Sequence, residues 1–400
     1  MNTSHVAWTF ALGFSALAAT ASFSVAGATT YTLEDLSTLA GSHIWTDPGS
    51  TAAGLSRSAI VGHSITPAFD RSVHAFRYAG GSMIDLGALP GDLHSMAFAS
   101  NAQGDAVGVS FDLGEIDVHG VLWPWNGGMV SLGAIEPRDV NAAGAVAGSI
   151  PFTGGVAGAV GTKHAALHLG RGTTDLGTLG GPSSMGMALN ESNWVVGDSM
   201  LADSRTTRAF VWRNGSMIDL GTLGGNGSRA LDIDGLTVVG FADTSAARPH
   251  ATRWALNANG SIASKTDLGT LPGAQSSAAY AVSGTSIVGT SDDRAVLWTD
   301  GAIVDLNSFV DPNIYWHLTK ATGIDSEGRI IGVGRHKGLT RAFVLTPKNP
   351  ADIDGDGVVG PIDLALLIGA WGTNDSLADL DGNGTVGAPD LALLLGAWTA

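Results

Sequence analysis

No cysteine occurs anywhere in the 400 residues. A disulfide framework, a thiolate zinc site and a cysteine nucleophile are therefore excluded, and stability has to come from packing, closure of the fold and bound metal. Charge is sparse, at 14% of residues, and basic charge is the scarcer sign: 20 Lys and Arg stand against 36 Asp and Glu, for a formal net charge of −16. Nucleic acid and anionic membrane both require a basic surface to replace released counterions, so neither is expected as a partner. Long helix-forming stretches are few. Beyond the N-terminus no apolar run is long enough to span a bilayer, the Leu391 to Trp398 run being too short. Glycine, by contrast, is abundant at 57 residues, which suits many short strands joined by tight turns and predicts a mainly β chain. Its length exceeds one ordinary core, so several domains or one repeat array are expected.

The N-terminus runs from Val6 to Phe23 through small and apolar residues without charge, then reaches Ala26-Gly27-Ala28, which has the small-x-small form of a signal peptidase site. Residues 1–28 read as a signal peptide, although the leading segment carries only His5 in place of Lys or Arg. Thr9, Ser15, Thr20 and Ser22 interrupt the apolar run and speak against a membrane span. The cleaved chain is expected to be secreted, extracellular or bound to a cell surface, with no membrane span.

One pattern then recurs: a hydrophobic-Asp-Leu-Gly run, an Ala-rich run ending near Asn or Asp, a Val-Val-Gly run, and His/Arg-Ala-x-x-Trp. Asp-Leu falls at Asp35, Asp85, Asp175, Asp219, Asp267 and Asp305, with Ser131-Leu132 as a substituted seventh copy. The glycine closing the third run is present in all seven units, at Gly62, Gly108, Gly148, Gly197, Gly240, Gly289 and Gly332. A period of roughly 45 residues and four short strands per unit are the dimensions of a propeller blade, and seven blades can close a ring that protects its own edges. Ser216-Met217-Ile218-Asp219-Leu220-Gly221-Thr222-Leu223-Gly224-Gly225 and His74-Ala75-Phe76 resemble the extracellular HAF-type repeats of bacterial proteins, over about residues 31 to 345. The resemblance implies location and repeat architecture. The expected fold is a seven-bladed β-propeller of HAF-type repeats over residues 29–346.

His74, His119, His164 and His250 each open the fourth strand of a unit, and Arg208, Arg294 and Arg341 take the same place elsewhere. A position that accepts either His or Arg is read as structural rather than as a metal ligand. Trp123, Trp212, Trp254 and Trp298 lie four residues later and read as packing between blades. Binding surfaces are expected where the units differ. The gap from third-strand glycine to His or Arg is sixteen residues between Gly148 and His164 but five between Gly289 and Arg294. Trp45 lies in an insertion of the first unit, and Tyr315, Trp316 and His317 lie in one of the seventh. These aromatics suit either stacking on sugar rings or anchoring of loops. Asp112, Glu115 and Asp117 read as a solvated acidic loop, and Asn-Gly-Ser at Asn214, Asn226 and Asn259 as turns that also match a glycosylation sequon. No catalytic residue is assigned, because no Ser/His/Asp signature and no pair of carboxylates outside the repeat pattern stands out.

After a linker, residues 347–351, the chain changes character. Residues 351 to 400 hold eight aspartates and no lysine, arginine or glutamate. Asp352, Asp354, Asp356 and Asp363 place oxygen donors at positions one, three, five and twelve of a loop, with Gly357 at the sharp turn of position six. Twenty-seven residues on, Asp379, Asp381, Asn383 and Asp390 repeat the set around Gly384. The backbone carbonyls of Val358 and Thr385 take position seven. Two calcium ions are therefore expected over residues 352–400. Leu364-Ala365-Leu366-Leu367 and Leu391-Ala392-Leu393-Leu394 continue each loop as a helix. Leu364, Leu367, Ile368 and Trp371 of one half are expected to bury against Leu391, Leu394, Leu395 and Trp398 of the other.

These loop-helix halves, with Asp rather than Glu at position twelve and no full entering helix, are similar to type I dockerins, small α-helical duplicated calcium-loop domains. The resemblance implies docking onto cohesin modules of polysaccharide-degrading assemblies through loop positions ten and eleven, which here are Pro361-Ile362 and Ala388-Pro389 rather than the usual hydroxyl pair. A cohesin-like or other envelope docking receptor is the expected partner, with a glycan or protein as the ligand of the ring. The function expected is that of a binding or display protein. The competing class is a carbohydrate-active enzyme, a glycoside hydrolase or lyase, which a pair of carboxylates facing the central channel would favour and a channel of small residues would not.

Overall fold

The computed structural model describes residues 31–39, 49–67, 72–112, 118–152, 162–170 and 172–399. The proposed signal peptide, Trp45, Glu115 and Asp117 lie outside them. Two compact units are present, Thr30–Pro347 in one and Lys348–Ala400 in the other.

The first unit contains seven four-stranded antiparallel sheets. Their inner strands are Ser50–Leu55, His94–Ser100, Glu136–Val140, Gly180–Leu189, Gly224–Asp234, Ser277–Ser283 and Trp316–Ile324, which head blades 1 to 7. Each inner strand touches that of the next blade, and the seventh touches the first, so the unit is a closed seven-bladed β-propeller. The structure shifts the phase of the sequence repeat. The Asp-Leu-Gly run is the outermost strand of the preceding blade, and the His or Arg opens the third strand counted from the centre. The first such run, Tyr31–Asp35, is thereby left over and pairs antiparallel with Leu339–Pro347, completing blade 7 and closing the ring.

The repeated residues have local reasons. The Asp of Asp-Leu-Gly accepts the N–H of the residue two further on, at 2.7 Å for Gly87 and Gly221 and 2.8 Å for Gly177 and Gly269. The Leu between them is buried, as at Leu36, Leu176, Leu220 and Leu306, each contributing about 1.5–3 kcal/mol. Seven clusters of such residues fill the spaces between blades. Trp123, Trp254 and Trp298 are core members as expected, and Trp254 also donates its indole N–H to the Leu220 carbonyl at 2.9 Å.

Every inner strand slips register at one shared step, Ala52/Gly54 in blade 1 and its equivalent in the other six, and those of blades 4, 5 and 7 slip a second time nearer their start. The invariant third-run glycine pairs opposite that bulge. A Cβ at Gly62, Gly108 or Gly197 would stand 1.9 Å from an inner-strand carbonyl oxygen, and at the other four 2.0–2.1 Å. Close approach of the backbone therefore excludes any side chain there. A serine unremarked in the sequence is equally regular. Ser95, Ser184 and Ser277 each accept an N–H from the third strand of the preceding blade, at Ala75, Ala165 and Ala251, and donate to the carbonyls of Gly87, Gly177 and Gly269.

The Lys348–Ala400 unit holds helices α1, Pro361–Gly369, and α2, Ala388–Gly396. Its core repeats at the 27-residue offset of the loops: Ala351 with Ala378, Val359 with Val386, and Leu367 with Leu394. The loops are cross-tied in the same symmetric way, by Gly372 N–H to the Val386 carbonyl at 2.9 Å and Thr399 N–H to the Val359 carbonyl at 3.0 Å. Leu364, Leu391 and Trp398 join this core. Ile368, Trp371 and Leu395, expected to be buried, are about half exposed instead. Helices of nine residues present only one narrow stripe to each other, and the i, i+3 stripe through Leu364 and Leu367 takes it. No helix among the described residues is long and apolar enough to cross a membrane.

Candidate functional site

In each loop of the C-terminal unit glycine occupies positions four and six with left-handed φ, 76° and 91° at Gly355 and Gly357, and 68° and 88° at Gly382 and Gly384. These turns fold the aspartates back on one another. Carboxylate oxygens of Asp352, Asp354 and Asp356 all lie within 4.8 Å of each other in the first loop, and those of Asp379, Asp381 and Asp390 in the second. Asp363 is not part of the first trio. Asn383 stands at position five of the second loop, its amide donating to Asp381 at 2.7 Å. Val358 is exposed at position seven.

Asp363 and Asp390 sit in the first turn of their helices and are almost fully buried. Asp363 accepts N–H bonds from Ile353 at 2.6 Å, Asp354 at 3.1 Å and Gly360 at 2.8 Å, tying loop start to helix start. Asp390 does the same with Asp381 at 3.0 Å and Gly387 at 2.7 Å. Burial works to raise both pKa values, but the backbone donors outweigh it and both are held below the ordinary carboxylate value. Asp354 is shifted the other way. The N–H of Asp356 works to lower it, but desolvation and the charges of Asp356, Asp363 and Asp352 leave it raised. Oxygen-only donors, convergent and mutually repelling, fit a hard divalent cation, and calcium supplies the charge that relieves that repulsion.

The propeller's channel carries a feature that the sequence did not single out. A cavity of about 160 Å³ is lined by all seven inner strands. At the position after each bulge stand Gly54, Ala99, Asp139, Ala188, Asp232, Ala281 and Gly323. Five small residues thus share the ring with two carboxylates. Burial pushes Asp139 up to about 6 and Asp232 to about 7, the latter helped by the charge of Asp139. Both oxygens of each are engaged by backbone: Asp139 accepts from Val140 at 2.8 Å and Leu189 at 2.9 Å, Asp232 from Ile233 and Val282 at 2.8 Å. They join neighbouring blades. The pair was hidden in sequence because each stands at an inner-strand position whose other five copies are Gly or Ala.

The histidines are paired in place. Nδ1 of His74, His164 and His250 lies 2.9 Å from a carboxylate oxygen of Asp85, Asp175 and Asp267, and His119 lies 3.2 Å from Asp92. Arg294 meets Asp305 in the same way at 3.3 Å, so in blades 1, 3, 5 and 6 the position latches the third strand to the outermost, whereas His119 reaches the loop that leads into its blade's inner strand. Trp316 stacks on His336 at 4.9 Å and edge-on to Phe343, and so anchors its loop, while Tyr315 is exposed. Asn214 and Asn259 occupy turns as expected; Asn226 does not, lying within the strand Gly224–Asp234.

Residues 350–396 match the dockerin type I domain family. The molecule is thus a seven-bladed β-propeller carrying a C-terminal dockerin type I domain, the class that fold and loop geometry define together. No curated protein matches the chain. Among solved structures the propeller is similar to TolB from Acinetobacter baumannii, at 13% identity and a TM-score of 0.40 over 72% of this chain and 64% of that one. It is also similar to a puromycin-hydrolyzing peptidase of Mycobacterium tuberculosis, at 12% and 0.50 over 80% and 54%. A third likeness is to the β-propeller domain of the trilobed protease from Pyrococcus furiosus, described as having an open velcro topology, at 8% and 0.50 over 76% and 97%. The chain spans less than two thirds of the first two, and identities this low speak to the fold alone.

Proposed function

We propose that this is a secreted bacterial protein, released by cleavage after residue 28, which docks through its calcium-loaded C-terminal module to a cohesin-like receptor and displays its propeller there. The observation that carries the reading is the duplicated loop: two convergent oxygen sets, each locked to its helix by a buried aspartate. One ion is assigned to Asp352, Asp354, Asp356, Asp363 and the Val358 carbonyl, and the other to Asp379, Asp381, Asn383, Asp390 and the Thr385 carbonyl. Dockerin domains bind calcium and cohesins, and the half-exposed Ile362 and Leu366 on α1 and Leu393 and Leu395 on α2 supply apolar area for such a contact.

Calorimetric titration of the full chain with calcium tests the first half, with two sites expected and one lost in each of Asp352→Ala and Asp379→Ala. Capture by immobilised type I cohesin, with and without calcium, tests the second. Binding that needs calcium and is weakened about ten-fold or more by Leu366→Glu supports the reading. Calcium binding without any cohesin capture leaves a receptor of another kind as the partner. The enzyme alternative gains no support from the channel aspartates, whose oxygens are already committed to backbone donors.

A further inference from the structure

Alternate residues of an antiparallel strand direct their N–H groups to opposite sides. Ser56, Asn101, Asn141, Asn190 and Asp325 donate theirs across the first hairpin of their blades, at 2.9–3.1 Å. The residue before each, Leu55, Ser100, Val140, Leu189 and Ile324, therefore turns its N–H to the channel, and Ile233 and Val282 hold the same register. Seven N–H groups ring the channel wall. Asp139 and Asp232 take four of them, each carboxylate bridging two adjacent blades. The three others, of Ile324, Leu55 and Ser100, sit side by side on blades 7, 1 and 2, where the aspartate position is Gly323, Gly54 and Ala99. The cavity reaches these three residues and none of the four that the aspartates cover.

We propose that this open sector of the channel binds the carboxylate of a small organic acid, its oxygens bridging the N–H groups of adjacent blades as those of Asp139 and Asp232 do. The two aspartates act as built-in examples of the ligand, since the same wall accepts a carboxylate twice already. Asp139 and Asp232 line the same cavity, and burial keeps them largely protonated below about pH 5, where they do not repel a guest anion. Arg138 leans from blade 3 over the Phe98 ring of blade 2, 4.6 Å from its centroid, and its buried Nε has no hydrogen-bond partner. The volume limits the guest to a few heavy atoms beyond the carboxylate.

Acetate is the probe, titrated at about pH 5 into the full chain at saturating calcium, with chloride as the control anion. Gly323→Asp supplies an internal carboxylate in the register of Asp139, aimed at the N–H groups of Ile324 and Leu55. The nearest atoms to a Cβ there are side-chain atoms rather than backbone, Ile331 Cγ1 and Cδ1 at 3.0 Å and 3.2 Å and Leu55 Cβ at 3.4 Å, so Ile331 has to shift by a few tenths of an ångström. The expected result is acetate binding to the native chain that chloride does not reproduce and that Gly323→Asp weakens at least about ten-fold with the melting temperature retained. Asp139→Ala opens two further donors, and its melting temperature should rise with acetate more than that of the native chain. No acetate binding, or binding unchanged in Gly323→Asp, overturns the proposal. Should Gly323→Asp fail to fold, an Asp139→Ala chain that responds to acetate no more than the native chain overturns it equally.

Discussion

Asp363 and Asp390 each join the start of a calcium loop to the start of a helix through one buried carboxylate. Asp390→Ala leaves those backbone donors unpaired, costing on the order of 2–4 kcal/mol in a small core, and should abolish the helical signal of the second half even in calcium, read by circular dichroism. The pKa values of both are depressed, so their contribution is full above the ordinary carboxylate value and is lost as pH falls below it. The channel pair has the opposite sign. Asp139 and Asp232, raised to about 6 and about 7, contribute stability that is complete below about pH 4 and lost as pH rises through those values. Melting of the propeller at saturating calcium should therefore fall between pH 5 and pH 8, and in the Asp139→Ala, Asp232→Ala double variant that fall should shrink by about a few degrees. The third-run glycines admit a simpler test. Gly197→Ala sets a Cβ 1.9 Å from the Met185 carbonyl oxygen and should destabilise the ring by about 3 kcal/mol or more in urea unfolding, whereas Gly172→Ala, where a Cβ meets nothing within 4 Å and φ is not left-handed, should be near-neutral.

Strands and helices differ in how much of them the residues announced. The blade repeat was legible because each of its marks is imposed by geometry: the Asp by its turn, the Leu by the space between blades, the glycine by a carbonyl across the hairpin. The phase was not legible, since a repeat without a start gives no sign of which sheet an Asp-Leu-Gly strand joins; only the pairing of Tyr31–Asp35 with Leu339–Pro347 settles it. The calcium loops were readable donor by donor, whereas the helix faces were misjudged at Ile368, Trp371 and Leu395, where counting apolar residues overstated what two short helices can bury. Deleting Tyr31–Asp35 should lower the melting temperature and expose the edge of Leu339–Pro347, with self-association visible in light scattering.

Each of the two units has a core of its own, and among the described residues only the C-terminal one brings three carboxylates together within 4.8 Å, twice over. Chelating calcium should therefore remove the helical signal while the strand signal of the propeller persists, two separate transitions in one molecule. The closing strand carries a further implication for how the molecule is made. Tyr31–Asp35 waits for partners about 300 residues downstream, on the order of 15–60 s of synthesis at roughly 5–20 residues per second. A chain cut short before Pro347 has no closed ring and also no C-terminal module, because the module follows Leu339–Pro347, the partner of that strand, directly. A receptor that grips that module would thereby select molecules whose ring is closed, and the order of parts along the chain would serve as its own inspection step.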